Sequence, residues 1–376
     1  MYLTGQQTRE LTEQSFRALI GLRIAENANI DYKRELSTDS GWKRELLKDV
    51  SGFANAEGGL LIYGVLEPKD ELSIDAQIVG LADFAQRAQS VEQVIAAGID
   101  PRITGVVVQS VALGDKGCVV VCVPPSYGKP HMVVSDGHRC FYRRHSESTM
   151  AMTTFEIRET VLASATAEHR AKEAAKMEAS PSMGWPCFVL QAVPLMRPAT
   201  PWDVMNAAFE NVVRETPARR EFRAEFDLCS GSRPTANIHG LVSSYFSSSI
   251  VWSLEIRRNG HIICKFAVER KRCDQQAAVP VVSAATYDVF DAFCCVVEEA
   301  ASCAQCDVPY LFAANWFNCR NATFLRRDAF NANPTLREDA LTWPDHIRSV
   351  GDPYAAISDQ WQLELSNAFG SRTRLV

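Results

Sequence analysis

The sequence predicts an α+β protein of two successive domains, and three observations carry that reading. Short apolar and β-branched runs, Gly59 to Val65 and Cys118 to Val123 among them, read as strands. Between such runs lie stretches with apolar residues at helical spacing, as in Trp42, Leu46, Val50 and Phe53. The segment Glu178-Ala-Ser-Pro-Ser-Met-Gly184 then breaks the pattern and divides the chain into 1–178 and 184–376. A length of 376 residues is ample for two sizeable cores.

Leu11, Phe16, Leu19, Ile20 and Leu22 mark an entry helix over 10–22. Ile30 to Lys33 alternates apolar with charged, so an extended chain turns Ile30 and Tyr32 to a core and Asp31 and Lys33 to the other face. After a turn at Ser37 to Gly41, the helix bearing Trp42 and Phe53 runs toward Ala56, with Lys43, Arg44 and Lys48 off its apolar face. Gly59 to Val65 is nearly unbroken apolar, the mark of a strand buried on both faces. A partner strand is expected near Ala76 to Gly80, then a helix over 83–97 capped by Asp83.

Val106 to Val111 and Cys118 to Val123 flank Gly114-Asp115-Lys116-Gly117, a hairpin signature. His131 to Val134 and Arg139 to Arg144 flank Ser135-Asp136-Gly137, another. Thr153 or Thr154 caps a helix reaching Met177. Beyond the break, strands are expected at Cys187 to Val193, Ser249 to Ile256 and Ile262 to Val268, the last two joined by Arg257-Arg258-Asn259-Gly260. A helix from Ala285 to Cys303 leads into Tyr310 to Ala314, and a closing helix is expected near Pro353 to Phe369. No catalytic motif marks this second half.

The chemistry concentrates between Glu26 and Glu67. Asp31 and Lys33 hold a carboxylate beside an ammonium; the first can bind a hard cation, the second can stabilise charge on a phosphate. Glu26 precedes this strand and Glu67 follows the buried one, so each can add a carboxylate at a strand end. The same acid-x-Lys pair also suits a solvated face with a surface ion pair. Gly58 and Gly59 precede their strand, whereas a phosphate loop follows one, so no P-loop is read here.

These residues resemble the AlbA-type domain of the Schlafen family and its prokaryotic relatives. The resemblance rests on Glu26-x4-Asp31-Tyr32-Lys33, Phe53-Ala54-Asn55-x-x-Gly58-Gly59 and Gly64-Val65 followed by an acid. It continues through Ile99-Asp100-Pro101-Arg102-Ile103 and Phe141-Tyr142-Arg143 and covers roughly residues 15 to 165. It implies a mixed sheet with flanking helices, followed here by a second α+β domain. It also implies three acids that support metal-dependent cleavage of structured RNA, chiefly transfer RNA. By position they fall on Glu26, Asp31 and Glu67, with Mg2+ or Mn2+ as cofactor. Asp31 stands where the family commonly has Glu, and Glu67 where Asp is common; Leu66 replaces a residue that is often acidic.

The formal net charge is −6, so RNA binding needs local basic patches rather than a basic mean field. Arg139, Arg143, Arg144 and His145, interleaved with Phe141 and Tyr142, form one; Arg257, Arg258, Lys265, Arg270, Lys271 and Arg272 form another. Lys43 and Lys48 adjoin the acids and can hold a nucleic-acid backbone. The 47% apolar and 22% charged composition, without a signal peptide or a long apolar run, reads as a cytosolic protein. Twelve cysteines in such a chain read as thiols, with Cys303 and Cys306 at zinc-knuckle spacing but without a second pair.

The expected function is therefore a divalent-metal-dependent endoribonuclease. Glu26, Asp31 and Glu67 would hold the ion, Lys33 would neutralise the phosphate, and Arg139, Arg143, Arg144, Lys43 and Lys48 would position the backbone. The family adds transfer RNA as substrate, a homodimer to complete the groove, and antiviral defence as setting. Two alternatives stay open: a non-catalytic nucleic-acid- or ATP-binding regulator, and an interaction module with a vestigial site.

Overall fold

A computed structural model describes residues 3–37, 41–68, 72–135, 137–181, 185–196, 198, 201–216, 233–246, 251–268, 270–271, 279–283, 285–304, 308–325 and 335–375. The chain forms two compact units, Met1–Ala167 with Ser349–Gly351 and Glu168–Arg348 with Asp352–Val376. That boundary falls inside the long helix Thr154–Glu178, upstream of the 178–184 segment singled out in the sequence.

The first unit begins with helices α1 (Gly5–Arg9) and α2 (Glu13–Gly21), each opened by a threonine whose side chain accepts a backbone N–H. It continues with β1 (Ile30–Lys33), α3 (Trp42–Ala54), β2 (Gly59–Tyr63), α4 (Ile74–Gln77), α5 (Phe84–Gly98) and β3 (Ile99–Asp100). Then come β4 (Val107–Leu113), β5 (Lys116–Val123), β6 (Met132–Ser135), β7 (His138–His145), β8 (Ser148–Ala151) and α6 (Thr154–Glu178). The main sheet runs β1-β2-β5-β4, with β1 parallel to β2 and the other pairings antiparallel, so it is mixed. A parallel neighbour needs a crossover, and α3 supplies it.

Both faces of this sheet are covered. On one, Phe16, Leu19 and Ile20 of α2 meet Ile30, Tyr32, Leu60 and Ile62. On the other, Leu46, Leu47, Val50 and Phe53 of α3 and Val91 and Ile95 of α5 meet Leu61, Tyr63, Val119 and Val121. Burying each such side chain stabilises the unit by about 1.5–3 kcal/mol. The paired glycines have steric reasons: a Cβ on Gly59 would sit 2.2 Å from the Phe53 ring, and Gly58 has φ +73° with Val123 O 2.6 Å from where its Cβ would be. A second sheet, β3-β6-β7-β8, lies against α3.

Two local expectations are corrected. The strand expected near Ala76 to Gly80 is the short helix α4, because Ser73 caps it by accepting the Ala76 N–H; only Ile78 bridges to Val65. Asp83 precedes α5 but is left-handed, φ +52°, and makes no side-chain cap bond. The two hairpins form, with Leu113 opposite Lys116 and Ser135 opposite His138. Thr153 caps α6 by a reciprocal box with Glu156.

The second unit is a largely antiparallel sheet with helices packed against it. Its elements are β9 (Cys187–Pro194), α7 (Ala207–Glu215), β10 (Thr235–Ala236), β11 (Gly240–Phe246), β12 (Val251–Arg257) and β13 (Ile262–Ala267). After β14 (Arg270–Lys271) and β15 (Val279–Val282) come α8 (Ala285–Cys303), β16 (Tyr310–Phe317), β17 (Thr323–Phe324), β18 (Ala340–Thr342), β19 (His346–Arg348) and α9 (Ala355–Ala368). The sheet runs β10-β11-β12-β13-β9-β16-β18, with β19 also on β16. Its core is aromatic: Phe188 stacks on Trp316 at 4.7 Å, and Phe290 meets Trp361 edge-on at 5.8 Å. Cys303 belongs to α8 as a free thiol, and Cys306 lies outside the described residues. No helix among the described residues is long and apolar enough to cross a membrane.

Candidate functional site

β1 is an edge strand, and the chain before it folds back to cover that edge. Asn27 N donates to Ile30 O at 3.1 Å, and Tyr32 N, unpaired by β2, donates to Glu26 Oε1 at 3.0 Å. Glu26 is thus held beside the strand by a backbone requirement. Ile30 and Tyr32 enter the α2 core, while Asp31 and Lys33 face α3, as the alternation predicts.

Asp31 is only 3% exposed. Its Oδ1 accepts from Arg144 at 3.4 Å; its Oδ2 lies 2.8 Å from Lys33 Nζ, an ion pair without the alignment of a hydrogen bond. Lys33 also reaches Asp49 Oδ2 on α3 at 3.6 Å. Burial alone would push the Lys33 ammonium down, but Asp49, Asp31 and Glu26 outweigh it and hold its pKa above the ordinary lysine value. Burial pushes the Asp49 carboxyl up, and Asp31 adds to this against the pull of Lys33. Glu26 is also raised, first by burial and then by Asp31 and Glu67, despite its bond from Tyr32 and the charge of Lys33.

Glu67 follows β2, whose end is tied to β1 by Gly64 N and Val65 N donating to Lys33 O at 2.8 and 3.3 Å. It is exposed, and its charge reaches Glu26. The four sequence-predicted residues Glu26, Asp31, Lys33 and Glu67 therefore share one end of the β1–β2 pair. As they stand they do not fit a metal ion. Lys33 stands against Asp31, Glu26 is turned to Tyr32 N, and no three His, Cys, Asp or Glu side chains converge enough to hold one among the described residues.

Strand alternation divides the basic patch of β7. Thr149, opposite Arg144, lies where a Cβ on Gly52 of α3 would fall, so the Arg144 face packs on α3. Arg144 is 4% exposed, stacks 4.7 Å over Phe53, and donates to Asn27 O at 2.9 Å and Ile30 O at 3.2 Å. Its guanidinium is engaged inside the unit rather than offered to a phosphate. Arg139 and Arg143 lie on the opposite face, exposed and half-buried. Lys43 is exposed and Lys48 half-buried on α3, with the Lys48 charge felt at Asp49.

Asp49 escaped the sequence reading, and Asn55 entered it only as part of the family motif. Asp49 lies among Leu46, Val50 and Phe53 on the apolar face of α3, and an acid in that register was the signal. Asn55, fully buried, donates to His131 O and Tyr142 O at 2.9 and 2.8 Å and accepts from His131 N at 2.6 Å.

Residues 26–152 match the family model described as Schlafen, AlbA_2. The first unit carries a Schlafen AlbA_2-type domain. Every residue of the cluster at the β1–β2 end falls within the match. The AlbA_2 domain makes the function of this unit nucleic-acid-related. Among solved structures, the N-terminal domain of a RecG-related protein from Nitrosomonas europaea is similar at 21% identity, over 38% of this chain and 95% of that one, with a TM-score of 0.27. The DIP2311 protein of Corynebacterium diphtheriae is similar at 17% identity, over 50% of this chain and 29% of that one, with a TM-score of 0.24. Neither TM-score is high enough to bear on function. No curated protein matches the chain.

Proposed function

We propose that the AlbA_2 domain cleaves structured RNA, with transfer RNA as the substrate class, as an endoribonuclease. The observation that carries this reading is the group Glu26, Asp31, Lys33 and Glu67 at one strand-pair end, where a half-exposed lysine is flanked by carboxylates. Lys33, held charged by its acidic neighbours, would neutralise the phosphate undergoing attack. Glu26, its carboxyl raised by burial and by Asp31 and Glu67, would move a proton. The resemblance assigns Mg2+ or Mn2+ to Glu26, Asp31 and Glu67, and Asp31 and Glu26 would have to leave Lys33 and Tyr32 N to hold it. A homodimer that completes the groove, and a role in antiviral defence, belong to the same proposal.

A second reading is a non-catalytic nucleic-acid- or ATP-binding regulator. It is favoured by the structural engagement of the acids, Asp31 with Arg144 and Glu26 with Tyr32. Incubating the full chain with total transfer RNA, with Mg2+, with Mn2+ and with EDTA separates the two. Defined fragments that vanish with chelator support the nuclease, whereas shifted but intact RNA in all lanes supports the regulator.

A further inference from the structure

We propose that the outward face of β6, β7 and β8 is a stacking platform for unpaired RNA bases. It rests on the reading that this domain engages RNA, and specifies which form of RNA this face takes.

The register defines the face. Met132 pairs with Phe141, Val134 with Arg139, Arg143 with Met150 and His145 with Ser148, so these eight residues share one side. The alternate residues Val133, Tyr142, Arg144 and Thr149 face α3. What remains on this side combines the half-buried Phe141 ring, a methionine that is 54% exposed, the exposed Arg139 and the half-buried Arg143. A soluble domain gains nothing in stability from leaving such a side chain in water. His145 Nε2 lies 3.2 Å from Glu156 Oε1, which sets the first turn of α6 beside this face; Phe155 in that turn is 69% exposed.

Charge decides the occupant. Arg139 and Arg143 lie on the strand, and Lys129 is near enough for Arg143 to repel it. Of the acids, Glu156 is engaged by the Thr153 cap and by His145, Glu57 acts on Lys129, and Glu147 lies exposed in the β7–β8 turn. Arginines alternating with rings on a half-exposed strand face suit a polyanion that also offers flat apolar surfaces. Unpaired nucleotides do so; a duplex keeps its base faces stacked away from protein.

The test is fluorescence anisotropy of the full chain in EDTA, which makes it independent of cleavage, with labelled oligouridine and a labelled RNA duplex of equal length. Wild type is expected to bind oligouridine. Phe155→Ala and Phe141→Leu should each weaken oligouridine binding by about ten-fold while leaving duplex binding unchanged. Phe141→Tyr should restore affinity, and Arg139→Ala should lower the salt slope by about 0.7. Phe155 is exposed and leucine keeps the bulk of Phe141, so the fold survives both changes. Equal oligouridine binding by wild type and the Phe variants overturns the platform. A chain that binds oligouridine through Phe141 yet cleaves nothing overturns the nuclease reading alone, and a chain that cleaves while ignoring Phe141 does the reverse.

Discussion

Asp31 and Arg144 meet inside the first unit, 113 residues apart in sequence and 3.4 Å apart in space. The strand residue and the hairpin residue fix each other: Arg144 binds the carbonyls on either side of the β1 turn, and Asp31 receives its charge. The N-terminal edge of the sheet is thereby locked to β7.

Removing one partner of a buried pair strands the other. Arg144→Ala is expected to destabilise the first unit by about 3–5 kcal/mol. Arg144→Lys should recover little, because an ammonium cannot reproduce the guanidinium fork or its stacking on Phe53. Urea denaturation followed by circular dichroism checks this; an Arg144→Ala chain as stable as wild type would show that the lock does not hold.

Glu26 gives a pH signature. A carboxyl with a higher pKa folded than unfolded binds more protons when folded, so its contribution to stability falls as pH rises from the ordinary glutamate value through the raised one. Glu26→Gln keeps an acceptor for Tyr32 N and removes the charge. The variant should be more stable than wild type near pH 7, with the difference vanishing below about pH 4, where glutamate is protonated in both states. A variant that is less stable near pH 7 would mean that burial, Asp31 and Glu67 do not burden the Glu26 charge.

Asn55 ties the end of α3 to the His131 and Tyr142 backbone through three hydrogen bonds. Asn55→Ala leaves the buried His131 N–H and two carbonyls without this partner and should cost at least about 3 kcal/mol. The thermal midpoint of the variant measures it, and a shift within error of zero would contradict the bonding.

Much of this was legible in the sequence, for identifiable reasons. The period-two alternation of Ile30 to Lys33 gave the faces of β1, and the unbroken apolar run of β2 gave its burial. Paired turn residues placed the hairpins. The fate of Arg144 was hidden because a run of Arg143, Arg144 and His145 looks uniformly basic until strand alternation turns one side chain inward. Asp49 was hidden because its partner Lys33 lies on another element. β8 was missed because Ser148 to Ala151 is short and has no clear apolar alternation, and its pairing depends on β7 rather than on its own composition.

The nuclease proposal is tested most directly at Glu67. This residue is exposed, so Glu67→Gln leaves the fold intact and any effect reports on chemistry. Single-turnover cleavage of labelled transfer RNA in Mg2+ or Mn2+ should slow by about 100-fold or more, with RNA affinity measured in EDTA unchanged. Cleavage at the wild-type rate by Glu67→Gln, or intact RNA bound equally by both proteins, would contradict the proposal.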